Sequence, residues 1–222
     1  MNIRYPVLLV IAATIASCKN NDNVFPRKVS SYLNLVNASA DTLNIYLNGT
    51  RQNNTSSLAP GGQSFYITVP AGIQNYSFKK AGSPNVLFSV PLNLKDSVYN
   101  SIYVTDETAS GSFTSVDAAF TDSAHAALRF ANASPDAGDL DVAIGDSLKF
   151  FQAVAYKSLS GYLLVGNGQK RIRIYLAGAT NPRLDTTITV VPNNGYTLFA
   201  KGSINSKNNT FKVGVASLKN DH

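Results

Sequence analysis

One stretch occurs twice in this chain, first as Leu33-Asn34-Leu35-Val36-Asn37-Ala38-Ser39-Ala40-Asp41 and then as Leu128-Arg129-Phe130-Ala131-Asn132-Ala133-Ser134-Pro135-Asp136. Each copy begins with alternating apolar and polar side chains and ends in Asn-Ala-Ser-x-Asp, which is typical of a strand that runs into a turn. Four further segments recur in the same order, at 43–47 and 140–144, 69–82 and 165–178, 99–103 and 196–200, and 113–120 and 211–218. This spacing predicts two tandem copies of one β-unit. We place the first copy at residues 30–122 and the second at 123–222.

The composition favours an all-β fold. Glutamate occurs once, tryptophan is missing, and the chain contains 11 tyrosines and 11 phenylalanines. Strong helix formers are therefore scarce, whereas β-branched, aromatic and turn-forming residues are plentiful. In the second copy, alternation and turn residues predict seven strands, near 126–132, 139–144, 160–165, 170–176, 185–191, 195–201 and 210–217. Seven mostly antiparallel strands are the profile of an immunoglobulin-like β-sandwich, although the paired cysteines of antibody domains are missing. A barrel is the structural alternative.

The first eighteen residues predict export and lipid attachment. A short basic segment precedes an uncharged apolar run over residues 6–16, which has the length of a signal-peptide core and is too short to span a bilayer. The stretch Ile15-Ala16-Ser17-Cys18 resembles the lipobox of bacterial lipoproteins, and Cys18 is the only cysteine. We therefore expect a lipoprotein signal peptide at 1–17, a lipidated cysteine and flexible tether at 18–29, and attachment to the outer membrane. An ordinary secretory signal with a chance cysteine is the alternative.

The second copy resembles a known family. Its signature Asn132-Ala133-Ser134-Pro135-Asp136 is followed by Tyr162-Leu163-Leu164-Val165, a turn at Gly168, and Ala177-Gly178. This is similar to the domain-of-unknown-function family numbered 4397, which occurs in exported bacterial proteins and often in tandem. The first copy fits more loosely, since Ala40 replaces the proline. The resemblance implies a β-sandwich on a cell-envelope protein and suggests no particular reaction. Together with the lipobox-like leader, we expect a lipoprotein of the Bacteroidetes type that faces the periplasm or the cell surface.

The search for catalytic groups gives little. The two histidines, His125 and His222, have no metal-ligand partner at helical or strand spacing, and no Gly-x-Ser-x-Gly elbow occurs. A hydrolase that uses Asp139 and Asp141 as a carboxylate pair is one hypothesis. Two carboxylates this close on one strand cannot bracket a substrate bond, which counts against it. We therefore predict that the protein is not an enzyme and needs no cofactor.

Two charged clusters have competing interpretations. The carboxylates of Asp136, Asp139 and Asp141 are a weak calcium candidate, because calcium takes several oxygen ligands, but aspartates at such positions more commonly bond their own turn. The basic residues Lys170, Arg171 and Arg173 lie on one predicted strand and its turn. Nucleic-acid recognition requires a broader stripe with interleaved aromatics, so we expect a solvated sheet face and no nucleic-acid partner.

The leading functional hypothesis is a non-catalytic binding or adhesion protein whose ligand is a glycan or an envelope or host protein. Loops on a rigid sandwich can carry binding residues. The candidate loop aromatics are Phe150, Phe151, Tyr156 and Tyr162. The alternative is a structural spacer or accessory subunit of an envelope complex. In addition, Asp122-Ser123-Ala124 is similar to the O-glycosylation acceptor pattern of Bacteroidetes exported proteins, with Ser123 as the acceptor.

Overall fold

The computed structural model describes residues 29–53, 56–146 and 149–219. The predicted signal peptide, Cys18 and nearly all of the tether lie outside the described residues. Within these ranges the regular structure consists of β-strands and one short 3-10 helix, Ala109–Gly111, which confirms the all-β prediction. None of the described helices is long and apolar enough to cross a membrane.

The first copy is a sandwich of two four-stranded sheets. One sheet has the strand order β4-β1-β7-β8 and the other has the order β3-β2-β5-β6. The strands are β1 (Ser30–Asn37), β2 (Leu43–Leu47), β3 (Thr50–Arg51), β4 (Ile67–Pro70), β5 (Gly72–Lys80), β6 (Phe88–Leu94), β7 (Tyr99–Val104) and β8 (Ser112–Asp117). Strands β1 and β7 run parallel, and the other described pairs in this copy are antiparallel.

The second copy repeats this topology, with sheets β12-β9-β15-β16 and β11-β10-β13-β14 and a parallel β9–β15 pair. The tandem organisation and the β-sandwich class are thus confirmed. The strands are β9 (His125–Asn132), β10 (Leu140–Ile144), β11 (Lys149–Val154), β12 (Leu163–Gly166), β13 (Gly168–Leu176), β14 (Leu184–Val190), β15 (Asn194–Lys201) and β16 (Lys212–Lys219). The copy has eight strands rather than seven, because the sequence prediction missed β11. Irregular pairing of β11 with β10 breaks the alternation that would have revealed it.

The register of the inner strands corrects two of the sequence alignments. Leu33 pairs with Asn100, whereas its counterpart Leu128 pairs with Tyr196. Tyr103 therefore corresponds to Phe199, one residue away from the alignment of 99–103 with 196–200. By the same logic Phe113, which pairs with Tyr103, corresponds to Gly214 and not to Phe211. These strands are buried on both faces, so their apolar runs do not fix the register.

Each sandwich closes around its own apolar core. Leu35, Ile45 and Phe78 are fully buried in the first, and Phe130, Val142 and Ile174 are fully buried in the second. Burying a side chain of this size contributes about 1.5–3 kcal/mol. On β13 the inward Ile172 and Ile174 alternate with the outward Arg171 and Arg173, as the sequence pattern predicts.

The two sandwiches pack against each other through the sheets that contain β1 and β9, which we call the inner sheets. A third apolar cluster fills this junction with matching positions from the two copies: Val36 and Ala131, Ala38 and Ala133, and Tyr103 and Phe199. The Phe199 ring lies directly on Gly214, where a Cβ atom would come within 2.2 Å of the ring. The molecule is therefore four sheets deep, with the inner sheets covered on both faces.

A buried ion pair also joins the two copies. Arg129 of the second copy bonds Asp117 of the first, and their side chains are only 6% and 2% exposed. The guanidinium also donates to the Thr197 hydroxyl at 2.9 Å and the Ser115 hydroxyl at 3.1 Å. Because both members of the pair make several further hydrogen bonds, the pair can persist away from water.

Candidate functional site

The four aromatic residues predicted as loop ligands lie in different surroundings. Phe150 and Phe151 are on strand β11 rather than in a loop, which corrects the prediction. The Phe151 ring belongs to the core and is 8% exposed, whereas Phe150 is 48% exposed. Tyr156 is hydrogen-bonded through its hydroxyl to Thr105, at 2.7 Å between the oxygens. The Tyr162 ring lies 4.7 Å from the Arg129 guanidinium.

The predicted calcium ligands are not assembled into a metal site. Asp136 accepts hydrogen bonds from the Ser203 hydroxyl at 2.5 Å and the Asn205 side chain at 3.0 Å, whereas Asp139 is exposed. Asp141 belongs to a separate cluster that is described below. Across the described ranges, no group of three His, Cys, Asp or Glu side chains could hold a metal ion. Asp136 thus bonds the distant turn at 203–205, and not its own turn as the competing interpretation expected.

Ser123 lies in the exposed join between β8 and β9. Its neighbour Asp122 accepts hydrogen bonds from the backbone N–H groups of Ala124 at 2.8 Å and His125 at 3.0 Å. These bonds, together with the His125 side chain, lower the pKa of Asp122 despite the opposing effect of desolvation. The join therefore has a defined turn in which the Ser123 side chain is accessible, and its glycosylation stays a prediction.

The repeated Asn-Ala-Ser-x-Asp signature has a structural role in both copies. Asn37 donates through its side-chain amide to the carbonyls of Asp41 at 2.7 Å and Leu58 at 2.8 Å. Asn132 donates in the same way to Gly138 at 2.7 Å and Val154 at 3.0 Å. Each asparagine thus ties its own turn to a neighbouring segment of the same sandwich.

The two signature turns meet at one end of the junction, around a cleft of about 350 Å³. Its acidic side chains already have partners. Lys80 contacts Asp41 at 3.2 Å and Glu107 at 2.7 Å, and Asp136 is bonded to the 203–205 turn. We therefore do not assign a ligand to this end of the molecule.

A different cleft, which we call the aromatic cleft, lies where the inner sheets of the two copies meet. It has a volume of about 440 Å³ and is lined chiefly by Tyr32, Phe65, Tyr66 and Tyr99 of the first copy and by Leu218 and Lys219 of the second. The parallel pairing of β1 with β7 places Tyr32 beside Tyr99, and their rings stack with centroids 4.5 Å apart. The Tyr66 ring meets Tyr99 edge-on at 5.1 Å.

Tyr66 is fixed in this cleft by the junction beneath it. Its hydroxyl donates to Asp117 at 2.7 Å, the same carboxylate that pairs with Arg129. Burial, followed by the negative charge of Asp117, raises the pKa of the Tyr66 hydroxyl far above its usual range. This hydroxyl therefore stays protonated, and the ring is a rigid wall of the cleft.

Phe65 is the unusual residue of the aromatic cleft. Its ring is 56% exposed, and its backbone lies in the left-handed region with φ of 55°. That conformation costs an ordinary residue about 1–2 kcal/mol, and glycine adopts it freely. The equivalent residue of the second copy is Gly161, because Ser64 and Ser160 bond the same strand position in their respective copies, but Gly161 does not share the positive φ of Phe65. The first copy thus presents a large apolar ring to solvent on an unfavourable backbone, a combination typical of functional sites.

A second concave surface, which we call the outer groove, crosses the sheet β11-β10-β13 of the second copy. It has a volume of about 880 Å³ and is lined by Asp141, Ala143, Lys149, Gln152, Arg173 and Tyr175, among others. Tyr175 forms part of its floor, and the Lys149 ammonium lies 4.6 Å from the centre of that ring. Small Ala143, opposite Arg173 on the neighbouring strand, leaves room above the sheet.

Asp141 organises one side of the outer groove. It accepts hydrogen bonds from the Ala153 N–H at 2.8 Å, the Lys149 ammonium at 2.9 Å and the Gly178 N–H at 3.1 Å. Burial alone would raise the pKa of Asp141, but these three donors outweigh it and lower the pKa. Ala153 itself has φ of 48°, a strained conformation for alanine.

Sequence reasoning assigned Arg173 to a solvated face and did not find Tyr32, Phe65, Tyr66 or Tyr99. One signal was available in the aligned copies. At equivalent outward positions of the two sandwiches, Phe65 corresponds to Gly161 and Arg173 corresponds to Ser77. Large differences at equivalent outward positions mark surfaces that the fold itself does not require.

Comparison with known proteins gives a family and only remote structural likenesses. A streptococcal family 41 carbohydrate-binding module described as recognising alpha-glucan is 13% identical, with a TM-score of 0.27 over 76% of this chain and 92% of that one. A family 26 module from Eubacterium rectale, solved with maltoheptaose, is 10% identical, with a TM-score of 0.29 over 86% of this chain and 98% of that one. Scores this low carry no argument about function.

Among curated proteins, none is significantly similar to this chain. The family model described as "Domain of unknown function (DUF4397)" matches twice, at residues 31–143 and 126–217. These matches cover nearly all of both sandwiches. The chain therefore belongs to the DUF4397 family, as a tandem pair of its domains.

Proposed function

We propose that this chain is a non-catalytic binding protein of the bacterial cell envelope, and that it holds a glycan in the aromatic cleft. The observation that carries the proposal is the exposed Phe65 ring, held on a strained backbone beside the tyrosines of the cleft. Sugar rings present apolar C–H faces that pack on aromatic rings and hydroxyls that bind polar groups. Thr68, Ser217 and Lys219 supply such polar groups around the rings.

The aromatic cleft depends on the packing of the two copies. Its rings come from the first copy, whereas Ser217, Leu218 and Lys219 come from the last strand of the second. Gln63, close to Phe65 in sequence, accepts a hydrogen bond from the Ser217 N–H at 3.2 Å. The tandem arrangement thus supplies a wall that a single sandwich would lack.

We further propose that Cys18 carries lipid and tethers the sandwiches to the outer membrane. The support is the lipobox-like sequence before Cys18 and the polar segment that follows it. Two or three acyl chains give durable attachment, since each buried methylene contributes about 0.8 kcal/mol. Metabolic labelling with a radioactive fatty acid should mark the wild-type protein and leave Cys18→Ala unlabelled. Equal labelling of both would place the lipid elsewhere.

A glycan-array screen of a soluble form that begins at Val24 tests the binding proposal. Phe65→Ala should weaken the best hit by about tenfold or more, because losing a buried phenylalanine contact removes about 1.5–3 kcal/mol. Ile73→Ala is the control, since it removes another exposed apolar side chain of the first copy, 74% exposed, outside the cleft. The proposal fails if no glycan binds, or if Phe65→Ala binds as tightly as the wild type.

A further inference from the structure

Among the described residues of the outer groove, one cation makes no direct contact with a carboxylate. Lys149 is paired with Asp141, and Arg171 is paired with Asp185 at 2.5 Å and Asp146 at 3.3 Å. Arg173, in contrast, makes no direct contact with a carboxylate among the residues that the structure describes, although Asp185 faces it across β13 and β14 and the charge of Arg173 helps to lower the pKa of Asp185. Its guanidinium donates to the Gly145 carbonyl at 2.9 Å, and its buried Nε atom has no hydrogen-bond partner. A guanidinium has five donors in a fork that matches a carboxylate, so this one retains unused capacity.

Comparison with the first sandwich shows that the fold requires neither the open space above Ala143 nor the positive charge of Arg173. Ala143 pairs with Arg173 across β10 and β13, and the equivalent pair across β2 and β5 is Tyr46 with Ser77. A tyrosine therefore stands where Ala143 leaves room, and a serine stands where Arg173 brings its charge. The sheet tolerates either pair, so the second copy carries a basic, open surface that its fold does not need.

The polar groups of the outer groove favour a sugar. The groove crosses the face of a sheet, where the backbone groups of β10 and β13 are already paired between strands, and it reaches the edge strand β11 on one side. Donors from Lys149 and Arg173 and an acceptor from Gln152 lie around one open space. Hydroxyl groups can use both kinds of partner, and a carboxylate would satisfy the arginine.

We propose that the outer groove is a second binding site, specific for a carboxylated sugar such as a uronate residue, whose carboxylate pairs with Arg173. Two carboxylates line the groove and both have cationic partners: Asp141 is paired with Lys149 and accepts hydrogen bonds from two backbone N–H groups, and Asp146 contacts Arg171 at 3.3 Å. The site lies on the outer sheet of the second sandwich, so it does not depend on the aromatic cleft. If the aromatic cleft binds no ligand, the outer groove can still be tested, and the reverse also holds.

Titration calorimetry with trigalacturonate tests this assignment on the soluble form that begins at Val24. The matched ligand control is the methyl ester of the same trisaccharide, which keeps the hydroxyls and removes the charge. We expect the free acid to bind at least tenfold more tightly than the ester, and to lose affinity as salt increases. Equal affinity for acid and ester, or no binding of either, would overturn the proposal.

Two variants locate the site. Arg173→Ser should weaken trigalacturonate binding at least tenfold, and Ala143→Tyr combined with Arg173→Ser, which copies the Tyr46–Ser77 pair, should abolish it. Lys95→Ser removes one charge from an exposed turn of the first sandwich and serves as the control for net charge. An unchanged affinity in the double variant contradicts the assignment. A triglutamate peptide that bound more tightly than trigalacturonate would replace the sugar with an acidic peptide and also overturn it.

Discussion

The two sandwiches of this chain share their strand order, their signature turns and their contact positions at the junction, yet they differ on the surfaces that ligands can reach. The first carries Phe65 and Tyr46 where the second carries Gly161 and Ala143. Core and junction positions are constrained by packing in both copies, whereas the outward positions are free to diverge. At these outward positions the copies therefore act as controls for each other, because the same strand pairing carries a different side chain in each.

The junction provides the largest expected effect. Arg129 occupies the position that Asn34 holds in the first copy, and only Arg129 neutralises the buried Asp117. We expect Arg129→Ala to lower the free energy of unfolding by about 3–5 kcal/mol, because it leaves a buried charge without a partner. Asn34→Ala, which removes neutral hydrogen bonds, should cost about 1 kcal/mol. If urea denaturation gave the same loss of unfolding free energy for Arg129→Ala and Asn34→Ala, the ion pair would not explain the difference between these two positions.

The signature asparagines should behave alike. Asn37→Ala and Asn132→Ala each leave one buried and one partly buried carbonyl without a side-chain donor, so each should cost about 1–3 kcal/mol. Thermal melts of the two variants measure the comparison directly. Ser110→Ala, in the exposed 3-10 turn, is a suitable control with an expected change near zero. A large effect in only one copy would contradict the equivalence of the two signature turns.

Phe65 should separate stability from binding. Phe65→Gly copies Gly161, and Phe65→Ala removes the same ring while keeping a Cβ atom on the left-handed backbone. We expect the glycine variant to be more stable than the alanine variant by about 1 kcal/mol, and both to lose the glycan. Denaturant titration measures this difference. If alanine is the more stable replacement, Phe65 is not strained, and the main argument for the aromatic cleft is lost.

Low pH should destabilise the outer sheet of the second copy more than that of the first, and this is the smallest of the four expected effects. Asp141 corresponds to Asn44, which does not titrate. The pKa of Asp141 is lowered in the folded protein, so its ionised form stabilises the fold above about pH 3.9, the ordinary pKa of aspartate, and this stabilisation is lost as the pH falls through the folded pKa. The difference in melting temperature between wild type and Asp141→Asn should therefore shrink between pH 6 and about pH 3. A constant difference would show that the carboxylate charge is unimportant.

Much of the fold could be predicted from the sequence, because the repeat, the alternation on strands such as β13 and the turn residues are local signals. Strand β11 was missed because its pairing is irregular. The alignment of β7 with β15 was wrong by one residue, because strands buried on both faces lack the alternating polar residues that would define the register. The aromatic cleft was missed for a different reason. Tyr32 and Tyr99 become neighbours only through a parallel pairing between distant segments, which no local pattern specifies.

The most direct test of the account is a spectrum of ¹³C-labelled tyrosine rings, recorded while the best glycan from the screen is added to the protein. We predict shifts confined to Tyr32, Tyr66 and Tyr99, with Tyr46 and Tyr175 on the outer sheets unchanged for a neutral glycan. Shifts at Tyr46 or Tyr175, with the three rings of the aromatic cleft unaffected, would contradict the claim that the junction of the two sandwiches is the binding site.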